Sequence, residues 1–487
     1  MSTRRLTVVL ALVGVGVFLW VVPTAGARAT YGARTTADEP QYLLTALSLA
    51  EDGNLDIADE RARGAYREFH EADLPVQESI RDDGTRVVPH DPLLPLVLAV
   101  PVAIGGWLAA KLTLAAMAGA LAAAMVWVAV RRFAVPVGVA VVAVLAFALA
   151  APLAFYGTQV YPELPAALAV TLGIAALTGP LRRRGVVLLA VVAVALPWLS
   201  VKYMAVAAAL VGVALVRLWR RDDRTAMLVV VGVLGAAGIV YLAAHQVLYD
   251  GWTVYASGDH FDAAGGEATV IGVDPDYLGR SARLAGLLTD RGFGLAAWQP
   301  AFLLAVPAVV ALLRARPRGW DVLAVPLAAG WLNATFVALT MHGWWWPGRQ
   351  VVVVLPCAVL AVAWWAGRYE RVRPWLLAGA VVGAATVAWL TTEVLLGHRR
   401  LVIDFERTAD PLYRLWRLAL PDGRRLPGGT DALRALWYVA LAGLALWGWR
   451  SLSRRPAPAP GAPVPGPDTI EPNDMRREAQ PCVTVPS

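Results

Sequence analysis

The sequence predicts an all-α polytopic membrane protein with about twelve transmembrane helices and a long first outer loop carrying interfacial helices, and three observations carry that expectation. The 487 residues are 58% hydrophobic and only 16% charged. Apolar runs of roughly 20 residues, the length that crosses a bilayer as a helix, recur along the chain. The runs are continuous rather than alternating, so they form helices, since lipid admits only helices and closed barrels. The net charge of +7 comes from arginine, the only lysines being Lys111 and Lys202. Most arginines lie in short loops, where they signal topology. No basic face or motif points to nucleic acid, which is not expected as a partner. Cys357 lies inside an apolar run and Cys482 in the tail, so no disulfide is expected. The arginine-heavy, lysine-poor composition suggests a GC-rich bacterial host.

The basic start, 1–5, and the apolar run 6–25 form a retained first span rather than a signal peptide, because the run is long and many spans follow. That places the N-terminus in the cytoplasm and Asp38-Glu39 outside. Within 40–50, Leu43, Leu44, Leu47 and Ala50 share roughly one helical side, the pattern of a short helix lying on the membrane surface. Glu51-Asp52-Gly53-Asn54 ends it with turn chemistry.

The segment 91–106 is short, apolar and interrupted by Pro92, Pro95 and Pro101. If it crossed the bilayer, nearly every later arginine cluster would be outside. As a re-entrant or interfacial piece it places the clusters at 131–132, 182–184, 217–224, 314–318, 368–373 and 450–455 in the cytoplasm, obeying the positive-inside bias. Further spans are expected at about 107–130, 136–155, 162–180, 185–199, 201–218, 226–246, 294–313, 320–340, 350–367, 374–396 and 432–450, with both termini inside. The membrane domain is thus 1–451, with outer loop 26–106. The Pro- and Ala-rich tail, 452–487, lacks the apolar surface to fold and is expected to be a disordered cytoplasmic tail.

The residues suited to chemistry gather at the outer rim. Asp38 and Glu39 cap the helix that Pro40 opens, or else one of them accepts a proton from an acceptor hydroxyl or holds a divalent metal. A carboxylate facing a partly apolar cavity has its pKa raised toward working pH. Glu163, in Tyr161-Pro162-Glu163-Leu164-Pro165, opens a wholly apolar span, where acids usually face a cavity. Lys202 and Lys111 either snorkel to headgroups or hold a lipid phosphate as point charges. Arg349, beyond Pro347-Gly348, suits phosphate contact, while the tryptophans at 344–346 suit an interfacial belt. His90 lies where the outer loop meets 91–106. The loop acids Asp259, Asp262, Asp274 and Asp276, with His260, have no diagnostic ligand spacing, so no cofactor or metal is assigned. No Walker A or dinucleotide fingerprint occurs.

These stretches in this order resemble the GT-C superfamily of polyprenyl-phosphate-sugar-dependent glycosyltransferases, in particular its protein O-mannosyltransferase and lipid A aminoarabinose transferase branch. The resemblance rests on Asp38-Glu39-Pro40-Gln41-Tyr42, Asp52-Gly53, the apolar Pro-rich stretch at 92–96 and Tyr161–Pro165. It continues in 196–203, 290–295 and 345–349. It implies catalytic roles for Asp38, Glu39 and Glu163, and contacts to the donor phosphate from Lys202 and Arg349, with His90 and Lys111 as further candidates. The branch has Lys-Pro where this chain has His90-Asp91-Pro92. The expected activity is inverting transfer of a sugar from a polyprenyl-phosphate donor to a cell-envelope glycan, lipid or protein on the outer face. The alternative is a transporter or flippase of lipid-linked sugars.

Overall fold

The computed structural model describes residues 2–257, 275–424 and 431–452. The expected tail beyond 452, and Asp259, His260, Asp262 and Asp274, lie outside them. The chain's regular structure is almost all helical, as expected. It opens with α1 (Thr3–Val21), started by Ser2, whose hydroxyl accepts from the Arg5 amide. The first loop holds α2 (Glu39–Glu51), α3 (Ala58–Ala62) and a small antiparallel ribbon, β1 (Ser79–Ile80) and β2 (Arg86–Val87), with Ser79 opposite Val87. Then come α4 (Leu93–Phe133), α5 (Val137–Ala148), α6 (Leu153–Tyr156) and α7 (Glu163–Thr178). They are followed by α8 (Arg183–Leu199), α9 (Met204–Trp219) and α10 (Arg224–Tyr249).

Among the described residues eight helices are long and apolar enough to cross a membrane, and three shorter apolar ones join them. With the 17-residue α8, each of the expected spans has a helix. The helix α4 is 41 residues long but broken at Gly105-Gly106, where Gly106 takes φ 60° and ψ −156°. The break falls at the end of the segment expected to be re-entrant, leaving a half-helix from Leu93 and a full span from Trp107. The helices α1 and α4 meet backbone to backbone: a Cβ on Gly119 would lie 2.4 Å from the Gly14 carbonyl oxygen, so only glycine permits this approach.

The Leu355–Ala366 helix is the hub of the bundle, with all twelve of its residues buried. Its approach, Arg349–Val354, is a 3-10 turn, as Pro356 lacks the N–H that an α-helix would need there. The expected span at 294–313 is likewise split, into Leu295–Trp298, a 3-10 turn Pro300–Leu304 and Ala305–Ala315. The Trp320–Leu332 helix ends in a π turn, Asn333–Val337, and the Asn333 amide donates to the Lys202 carbonyl at 3.1 Å. Irregular backbone within such a bundle persists only where protein or a wet cavity covers it.

The helix α2 departs from the sequence expectation. It is not an amphipathic helix on a surface: residues 39–46 and Ser48 are all buried, because the rest of the loop and α4 cover its polar side too.

Beyond α2 the carboxylates of Asp52, Asp59 and Glu60 offer oxygens within 4.8 Å of one another. The Glu60 side chain is buried and neither oxygen has a hydrogen-bond partner among the described residues. Burial, and then the neighbouring Asp59, push its pKa up to about 7. A group raised on folding stabilises most below its unfolded pKa and loses that contribution as pH rises through the folded value. Glu60→Gln is therefore expected to raise the Tm at pH 8 and leave it unchanged near pH 4. An equal shift at both pH values would refute the assignment.

Candidate active site

Four charged side chains from four distant parts of the chain meet in one contiguous chain of contacts. Arg349 lies at its centre. Its Nη2 donates to Asp38 Oδ2 at 2.6 Å and its Nε to Glu163 Oε1 at 2.8 Å. Lys202 Nζ donates to that same Glu163 oxygen at 2.5 Å. Two cations thus share one acceptor atom, while the other Glu163 oxygen is buried and unpartnered among the described residues. The guanidinium lies over two aromatic rings, 4.3 Å from the Tyr161 ring centroid and 4.9 Å from that of Trp345.

Local sequence explains how each group is presented. Gly348, at φ 86°, makes the turn that aims Arg349 inward. Pro162 precedes Glu163, the first residue of α7, where the helix dipole favours a carboxylate. Lys202 sits in the 3-10 turn Val201–Tyr203 between α8 and α9. Asp38 occupies the N-cap position of α2, yet its side chain caps nothing and pairs with Arg349 instead. The capping reading of Asp38 is overturned. So is the expectation of a raised pKa: burial pushes the carboxyl up, but the adjacent Arg349 guanidinium, aided by His90 and Lys202, brings it down to about 2.

Glu39 makes no hydrogen bond to this chain of charges among the described residues. Its Oε2 accepts from the Val160 amide at 2.8 Å and its Oε1 from the Thr36 amide at 3.2 Å, and Lys111 Nζ lies 3.8 Å away. Burial raises its pKa, opposed by Lys111 and those two amides. Lys111, itself buried, donates to the Arg34 carbonyl at 2.6 Å. Glu39 and Lys111 thereby tie the first loop to α4 and to the stretch before α7. Asp38 and Glu39 engage different partners.

His90 stacks on Tyr42 with centroids 4.8 Å apart, and its Nε2 is buried without a partner among the described residues. Burial lowers its pKa, so the ring is neutral near pH 7. Around the charges lie further buried polar atoms without partners among the described residues: both amide atoms of Gln41 and of Gln159, and the Tyr203 hydroxyl. A cluster of such atoms marks a place for water or ligand.

Sequence reasoning gave Asp91 no role. It is buried, accepting from the Val201 amide at 2.9 Å and from the Tyr241 hydroxyl at 2.9 Å. It locks the entrance of α4 to the turn carrying Lys202 and to α10. The aromatic scaffold was also missed: Tyr161 donates to the Thr36 carbonyl at 2.9 Å and Tyr156 to the Trp346 carbonyl at 2.7 Å. Trp346 is buried, not an interfacial anchor; Trp344 is exposed. The Tyr-Pro-Glu stretch was the available signal for the tyrosines, while nothing local marked Asp91.

No protein-family model and no curated protein matches the sequence. Solved structures do. The chain is similar to ArnT from Cupriavidus metallidurans in the apo state, at 15% identity and a TM-score of 0.50, over 92% of this chain and 78% of that one. ArnT from Cupriavidus metallidurans bound to undecaprenyl phosphate matches at 15% identity and a TM-score of 0.48, over the same shares. The likeness to the apo structure spans nearly the whole chain, and the protein has a polytopic helical membrane fold like that of this structure.

Proposed function

We propose that the chain is an inverting membrane glycosyltransferase that moves a sugar from a polyprenyl-phosphate donor to a cell-envelope acceptor on the outer face. The observation that carries this reading is the shared Glu163 oxygen, which holds Lys202 and Arg349 side by side next to Asp38. Arg349 Nη1 makes no hydrogen bond among the described residues, and Lys202 keeps two of its three N–H donors. Both cations therefore retain donors for a phosphate. An apolar groove of about 710 Å³ between the first part of α4, α8 and α10, lined by Pro92, Leu96, Val187, Val191, Trp198 and Val230, suits the donor's isoprenoid chain. Its lining residue Pro92 directly follows Asp91, and Trp198 lies four positions before Lys202.

In the reaction the acceptor oxygen forms a bond to the anomeric carbon as the bond from that carbon to the phosphate oxygen breaks. The electron pair leaves with the lipid phosphate, stabilised by Arg349 and Lys202, and the acceptor proton goes to Asp38. In the free protein Arg349 masks Asp38. An incoming phosphate draws on the same guanidinium, weakens the Asp38 pair and raises the basicity of the carboxylate once the donor is in place. Glu163 is a positioning residue, and Glu39 with Lys111 supports the loop. Neutral His90 offers the donor phosphate a single N–H. The fold match supports a transferase above a flippase, and Asp38, Glu163, Lys202 and Arg349 all sit at or beside helix ends, not deep within spans.

Glu163→Gln tests this arrangement. With the shared acceptor neutralised, the cations separate, and kcat/KM for the lipid-linked donor is expected to fall about 10²-fold, with a raised donor KM. The check is a transfer assay with purified protein and a series of donor concentrations. Unchanged constants would remove Glu163 from the site.

A further inference from the structure

The helices that carry the candidate site also build a second, strongly basic cavity at their other ends. Glu163 opens α7 and Lys202 precedes α9, whereas Thr178 and Arg217 at their far ends line this cavity of about 1010 Å³. Sixteen residues of α7 at 1.5 Å each put it roughly 24 Å from Glu163. Its rim holds Arg131 and Arg132 from α4, Arg217, Arg220 and Arg221 from the end of α9, and Arg316 and Arg318 from the turn before Trp320. The single lining carboxylate, Asp321, pairs with Arg217 at 2.5 Å.

The other six arginines have no carboxylate partner among the described residues. Arg132 is held over the Trp127 ring at 4.9 Å, with its Nε buried and lacking a hydrogen-bond partner. Gly179 leaves room for it, since a Cβ there would lie 2.7 Å from Arg132 Nη2. Arg316 lies 5.4 Å over the Trp320 ring. Topology signalling needs arginines near a membrane surface, not converged on one cavity. Gathering this much like charge is unfavourable unless an anion sits among it. The wall of the cavity is apolar: Ala209, Gly212, Val213 and Val216 fall on one face of α9 at helical spacing. Gly212 has open space where a side chain would point.

We propose that this cavity binds an anionic phospholipid, its phosphates among the arginines and an acyl chain along the Gly212 face of α9. A basic mouth continuing into an apolar wall fits a lipid headgroup better than a free phosphate, and six uncompensated cations favour a headgroup with two phosphates, as in cardiolipin. Binding here is independent of the sugar-transfer reading.

The test uses delipidated full-length protein in detergent, with native mass spectrometry of added cardiolipin, phosphatidylcholine or inorganic pyrophosphate. Wild type is expected to hold cardiolipin at least about 10-fold more tightly than phosphatidylcholine. Removing three exposed cations together (Arg131→Gln, Arg220→Gln, Arg318→Gln) is expected to weaken cardiolipin binding about 10²-fold while the protein stays folded. Gly212→Leu fills the groove and is expected to lose cardiolipin without touching an arginine. Undiminished cardiolipin binding by the triple variant overturns the proposal. So does pyrophosphate binding as tight as cardiolipin in both wild type and Gly212→Leu, which would make the site one for free anions.

Discussion

Asp38→Asn is expected to slow sugar transfer by about 10³-fold, within the range that a positioned general base contributes. Donor binding is expected to stay or tighten, because the substitution frees Arg349 from the carboxylate it now holds at 2.6 Å. That combination distinguishes a masked base from a merely structural acid, whose loss would weaken both. The assay pairs transfer in proteoliposomes with binding of the lipid-linked donor. Glu39→Gln is the companion variant: its carboxylate is committed to the Val160 and Thr36 amides, so its loss should appear mainly as lowered stability. Full transfer by both variants would sink the role given to the acidic pair.

Arg349→Gln is the second large effect. In the proposed reaction it removes the guanidinium that stabilises the leaving phosphate, and it leaves half-buried Asp38 and buried Glu163 without their shared partner. Transfer should fall at least about 10³-fold, and stability should drop by about 3–5 kcal/mol, the cost of breaking a buried ion pair from one side. Arg349→Lys should recover part of the stability and little of the rate. One ammonium cannot reproduce a planar fork that reaches both carboxylates while lying over the Tyr161 and Trp345 rings. Melting temperature and donor KM separate the two contributions. A Lys variant with near-native turnover would show that charge alone suffices.

Much of the candidate site was legible as separate residues. Asp38, Glu163, Lys202 and Arg349 each stood out because a charged side chain beside an apolar span needs a reason to be there. Their assembly was not legible. Asp38 and Arg349 are separated by 311 positions, and one sequence carries no register between spans. Asp38 looked like a cap because Pro40 follows it, and only the distant partner shows otherwise. The helix α2 misled for a related reason: its apolar side is real, but periodicity cannot reveal that a loop covers the opposite side as well. The spans at 294–313 and 350–367 were expected to be continuous, although Pro300 and Pro356 fall where the structure interrupts them, and the π turn at Asn333 had no local signal. The basic cavity was hidden because arginines at span ends carry the same pattern whether they mark topology or gather around a ligand.

Transfer from a lipid-linked donor at the Asp38–Arg349–Glu163–Lys202 cluster can be read out by lipid mass spectrometry. Membranes would be compared from cells lacking the gene and from cells complemented with wild type or with Asp38→Asn. If the cluster carries transfer, a sugar-linked polyprenyl phosphate accumulates, and one envelope sugar disappears, in the null and in the Asp38→Asn strain alike, with wild type restoring both. Restoration by Asp38→Asn, or donor pools and glycans unchanged in the null, would contradict it.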